Sequence, residues 1–161
     1  SSASSKEMSI TVYITILYMP FLTTGILLTS EIVSKDIISG TSLKIYNSLS
    51  GISEFDLEHV NQLLEELDLF KKIEIVESLF ENNKYDLSKK TYNMALNNLH
   101  EISEKISKEL EDIHKDIEYT KTLYFRSFRT HKYMKHLDNL KKFSNILDKR
   151  LELVVKLSTM N

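Results

Sequence analysis

Residues 87–125 read LSKKTYNMALNNLHEISEKISKELEDIHKDIEYTKTLYF, and this stretch decides the fold. Tyr92, Ala95, Leu99, Ile102, Ile106, Leu110, Ile113, Ile117, Thr120 and Tyr124 recur at three or four residues, with charged and amide residues between them. The mean step is close to that of a straight α-helix, so the pattern describes a rod packed in a bundle and not the seam of a long supercoil. Asp86 is placed to cap its start. A helix from Leu87 to Phe125 spans roughly 58 Å at the standard rise. A rod of that length with one apolar face needs partners of comparable length.

Two partners are legible on either side of it. Upstream, Leu57, Val60, Leu64, Leu67, Phe70, Ile73, Val76 and Phe80 form one apolar face, with Ser53 expected as N-cap and Glu54 and Asp56 in the first turn. The rest of this helix is acidic: Glu58, Glu65, Glu66, Asp68, Glu74, Glu77 and Glu81 face only Lys71 and Lys72. Downstream, a helix starting near Thr130 carries Tyr133, Leu137, Leu140, Phe143, Leu147, Leu151, Val154 and Leu157. Basic residues dominate here, with Lys121, Arg126, Arg129, Lys132, Lys135, Lys141, Lys142, Lys149 and Arg150 against Asp138 and Asp148. Opposite charge predicts that the acidic and basic helices are neighbours. Arg126 to Arg129 is the expected turn, although without Gly or Pro a continuous helix through it remains open.

The fourth rod is expected at the other end of the chain. Met8 to Ser30 contains no charged residue in twenty-three, and its only polar side chains are Ser and Thr. It reads as a membrane-spanning helix, as two β-strands around Met19-Pro20-Phe21, or as a helix buried on all sides. We take the buried helix, because the other segments each need a partner. Pro20 kinks it. The expectation is an all-α four-helix bundle with a kinked, uncharged first helix: a disordered tail at 1–7 and one domain at 8–161. Ser30 is the expected cap of a following helix that Gly40 ends, and Thr41 to Leu49 is a short apolar piece closed by Ser50-Gly51. Thr15, Thr23, Thr24 and Thr120 put hydroxyls in the core, which loosens it unless they bond to the backbone.

Composition narrows the function. The 161 residues include three Gly, one Pro and no Cys, and the net charge is -2. Few turn residues disfavour a β fold, and absent cysteine removes disulfides, thiol nucleophiles and thiolate metal sites. A balanced charge makes nucleic acid an unexpected partner. No glycine-rich phosphate loop, nucleophile elbow or zinc-helix motif occurs, so no enzyme activity and no cofactor are expected.

Two weaker constellations remain. Asp56-x-x-His59 and Glu111-x-x-His114 have the spacing of inward-facing pairs in carboxylate-bridged metal bundles. Met8 to Ser30 offers no further carboxylate, so no metal site is expected. Tyr124, Phe125, Phe128 and Tyr133 interleave with Arg126, Arg129, Lys132 and Lys135, the candidates for contact with lipid headgroups or a protein partner. The plainer reading makes these aromatics core and the cations a solvated face. His59, His100 and His114 are expected half-exposed, and His131 and His136 among cations.

If Met8 to Ser30 can be released, Ile14, Leu17, Phe21, Leu22 and Leu27 are the residues expected to meet a membrane. The alternative is an adaptor that binds a protein through the long third and fourth helices. Runs such as Glu81-Asn82-Asn83-Lys84 and Leu96-Asn97-Asn98-Leu99 are typical of AT-rich genomes. With the cysteine-free four-helix pattern, the chain resembles the small helical-bundle proteins that malaria-type sporozoites need for traversing host cells. That resemblance implies secretion, no catalysis and contact with host membranes, and it transfers no site residue. The residues themselves leave the compartment unknown.

Overall fold

The computed structural model describes residues 34–82, 89–122 and 132–160. These form an all-α four-helix bundle, with no strand among the described residues. The elements are α1 (Lys35–Ser53), α2 (Glu58–Leu67), α3 (Leu69–Glu81), α4 (Lys90–Lys121) and α5 (Tyr133–Thr159). α2 and α3 together make one rod. The first rod of the bundle is therefore α1, and the expected kinked helix at Met8 to Ser30 lies outside the described residues. So do Asp86, Ser30 and the turn at Arg126 to Arg129.

α1 corrects the expected stops. It runs through Gly40 and Gly51 to Ser53, because Ile38, Ile45 and Ile52 stack at seven-residue intervals on the core face and are fully buried. Burying three Ile side chains, at about 1.5–3 kcal/mol each, outweighs a glycine penalty of about 1 kcal/mol per site. Ser34 supplies the cap, its hydroxyl accepting from the Ile37 N–H at 3.2 Å. Ser53 is no N-cap; it closes α1, its hydroxyl donating to the Ser50 carbonyl at 2.8 Å. Asp56 then turns the chain with φ 55°, and Leu57 stands at the N-cap of α2.

The acidic rod is broken where a continuous helix was expected. Asp68 sits in the left-handed region at φ 51° and ψ 42°, which Asp tolerates better than most side chains. Its N–H still closes α2 on the Leu64 and Glu65 carbonyls. Beyond the break Ile73, Val76 and Phe80 keep the buried face that the stripe predicts, and one position changes. Leu69 takes the buried position and Phe70, expected in the core, is about half exposed, its ring 4.6 Å from that of Tyr46.

α4 is as the stripe requires, with Leu99, Ile102, Ile106, Leu110, Ile113 and Ile117 buried on a helix about 48 Å long. It also buries Leu96, His100, Ser103 and Ser107 beside the stripe, because two rods flank it. Around the bundle the order is α1, α4, α5 and the α2–α3 rod. α1 lies antiparallel to α3, with Lys35 on Glu81 at 3.2 Å. It lies parallel to α4, where Thr41 meets His100 and Gly51 meets His114. α4 and α5 are antiparallel, tied by Glu101 to Arg150 at 2.8 Å and Glu109 to His136 at 2.7 Å. α3 and α4, successive in sequence, touch only slightly across the diagonal.

Candidate functional site

The polar chemistry of the described residues concentrates where α4 meets α5. Glu109, Asp112 and Asp116 follow one another at three and four residues on α4, so they share one helix face. His136, from the first turn of α5, sits against that face. Its Nδ1 lies 2.7 Å from Glu109 Oε2 and its Nε2 lies 3.6 Å from Asp116 Oδ2. Asn139, one turn on, donates from Nδ2 to Glu109 Oε1 at 2.8 Å. Lys108 reaches Asp112 Oδ2 at 3.4 Å from the solvent side. The Glu109 side chain is only 12% exposed, those of His136 and Asp112 26% each. One ligand atom from each of these three lies within 4.8 Å of the others.

This cluster corrects the expected surroundings of His136, which faces carboxylates and not cations. Sequence spacing missed it because half of the site comes from another helix. The available signal was three carboxylates on a face whose neighbours Leu110 and Ile113 belong to the core stripe.

The two histidines singled out for their spacing have other neighbours. Asp56 lies in a turn and His59 on α2, where His59 Nε2 is 3.2 Å from the Tyr133 hydroxyl. His114 is wedged against Gly51, its ring centroid 5.4 Å from that of Phe55. His100, expected half-exposed, is buried between α1 and α4, 3.3 Å from the Thr41 hydroxyl. Burial lowers its proton affinity, opposed by Glu104 3.9 Å away. Tyr46 is driven the other way: burial, then its hydrogen bond to Glu77 at 2.8 Å, pushes its hydroxyl well above the usual range.

The basic candidates divide. Lys132 and Lys135 are exposed at the start of α5, with Lys132 Nζ 5.9 Å from the Tyr119 ring centre. Tyr133 between them is buried, so it is core and offers no stacking face to a base. Arg126 and Arg129 lie outside the described residues, as do Ile14, Leu17, Phe21, Leu22 and Leu27.

The expected attraction between the acidic and basic rods takes an inverted form. They are bridged by Lys72 of the acidic rod and Asp148 of the basic one at 2.8 Å, with Lys72 also donating to Ser144 at 3.4 Å. Arg150 and His136 of α5 turn instead to α4.

An open groove of about 620 Å³ runs over α4 between Thr41 and Lys44 of α1 and Phe143 of α5. Lysines and glutamates alternate along it, so its charge favours no ligand class. Among the described residues, no helix is long and apolar enough to cross a membrane. Comparison with known proteins found no matching family model, no matching curated protein and no matching solved structure.

Proposed function

We propose that this is a non-enzymatic helical-bundle protein that contacts or perturbs membranes through Met8 to Ser30. The observation that carries this reading is that four rods between Lys35 and Thr159 already supply the four apolar faces a bundle needs. The twenty-three uncharged residues of Met8 to Ser30 precede those rods in the sequence and are not counted among the four faces. Their number matches the roughly 20 residues that span a bilayer core. Exposed Lys132 and Lys135 add the charge that attracts anionic headgroups. Host-cell traversal is the setting implied by the resemblance to sporozoite bundle proteins.

A second reading, a protein adaptor working through α4 and α5, is supported by Leu153, Val155 and Met160, which expose apolar side chains near the end of α5.

Sedimentation of the full chain with phosphatidylcholine–phosphatidylserine vesicles, together with dye release, tests the membrane reading. The chain is expected to bind and to cause leakage. An Asp within the apolar stretch costs about 2.5–3.5 kcal/mol at the bilayer centre, so Leu17→Asp should weaken binding roughly a hundredfold. Thermal unfolding of the bundle should be unchanged in that variant. Absence of vesicle binding, or equal binding by Leu17→Asp, would overturn the membrane reading in favour of the adaptor.

A further inference from the structure

We propose that Glu109, Asp112 and His136 bind a divalent transition-metal ion of the zinc class, which staples α4 to α5. Three independent features of the cluster point the same way.

The first is the donor set. One imidazole and two carboxylates, each offering an atom within 4.8 Å of the others, surround a volume that one ion can share after small side-chain rotations. Zn²⁺ sits about 2.0–2.2 Å from nitrogen and oxygen ligands. Mg²⁺ and Ca²⁺ prefer sites built wholly from oxygen, whereas an imidazole selects zinc and its transition-series neighbours.

The second is charge. Glu109, Asp112 and Asp116 bring three negative charges to one helix face, and the fixed cation beside them is Lys108, whose side chain is 71% exposed. A dication balances that excess of negative charge. The buried position of Glu109 makes that balance matter more than it would at an open surface.

The third is orientation. Imidazoles that bind metal through one nitrogen usually keep the other against a carboxylate, which fixes the ring. Asp116 stands 3.6 Å from His136 Nε2, on the side of the ring opposite the nitrogen that meets Glu109. Asn139 holds Glu109 Oε1, which leaves Oε2 directed at His136. The ligands thus sit on two rigid helices with their supports already placed. Because Asp112 and His136 are partly exposed, water can complete the coordination.

An ion here binds the folded bundle and not the unfolded chain, so it raises the stability of the α4–α5 pair in proportion to free metal. Its concentration would then set how readily that pair opens. This consequence does not depend on the membrane reading.

Isothermal titration of the metal-free full chain with Zn²⁺, run beside Mg²⁺ and with thermal unfolding as second readout, tests the site. One Zn²⁺ per chain is expected, with a rise in Tm and no response to equal Mg²⁺. Asp112→Asn and His136→Gln should each weaken Zn²⁺ binding about tenfold or more, and Asp116→Asn should weaken it less. Asp112 is partly exposed and its ion pair is within its own helix, so Asp112→Asn keeps the fold, checked by its melting without metal. Glu58→Gln, in the exposed acidic turn, should bind as the parent does. The proposal is overturned if Zn²⁺ does not saturate at one site, if Asp112→Asn and His136→Gln bind like the parent, or if Glu58→Gln is weakened equally.

Discussion

The two seams that α4 makes are built on different principles. Against α1 it packs in parallel through small and polar residues: Thr41 meets His100, and Gly51 lies where a Cβ would come within 2.8 Å of His114 Nε2. Against α5 it packs antiparallel, with an apolar centre whose rim carries Glu101–Arg150 and the Glu109–His136 cluster. The first seam is specified by space, the second by charge. Closeness tolerates no added atom at Gly51, while a charged rim tolerates volume and responds to ions.

The largest effects should fall on what the seams share. Ile45→Ala in α1 and Leu140→Ala in α5 remove fully buried side chains and should each cost about 2–5 kcal/mol in denaturant unfolding. A loss confined to one of them would mean that the seams do not belong to one cooperative core.

A finer test separates closeness from helix propensity within α1. Gly40 has open space where a Cβ would go, so Gly40→Ala should stabilise by about 1 kcal/mol through helix propensity alone. Gly51→Ala gains the same propensity but drives into the His114 ring, which Phe55 backs, and should be destabilising by about 1 kcal/mol net. If both variants melted above the parent, the α1–α4 seam would not be limited by space.

The smallest effect is a pH dependence assigned to the α1–α4 seam. His100 has its proton affinity lowered by burial from the ordinary 6.5, so the unfolded chain binds a proton at His100 more readily than the bundle does. Its contribution is full above about pH 6.5 and is lost as pH falls through the lowered value. His100→Leu should flatten that part of the stability curve relative to the parent. Parallel curves for the two proteins would remove His100 as the cause.

Much of this bundle was legible because apolar periodicity is local. The α4 stripe and that of α5 from Tyr133 to Val154 match the buried positions closely, since each residue's phase is fixed by its own helix. Phase fails where one residue leaves the helix. At Asp68 the first turn of α3 exchanges Phe70 for Leu69 while Ile73, Val76 and Phe80 stay on the predicted face, and nothing short of the packed rod reveals that. Gly40 and Gly51 misled for a related reason, since their local cost is overridden by Ile38, Ile45 and Ile52 meeting the other rods.

Net charge per helix was informative about composition and misleading about contact. A contact reads only the residues on its rim, so the acidic rod meets the basic one through Lys72 and Asp148. The same limit hid the Glu109–Asp112–His136 cluster, whose histidine lies 24 or more positions from its carboxylates, on another helix. The sequence by itself determined that the described rods are helical, which of their faces are apolar and that Met8 to Ser30 carries no charge, because each is a property of consecutive residues. Only the tertiary structure decided which rods are neighbours, that His100 is buried, and which carboxylates His136 meets, because those depend on how separate rods share a common core.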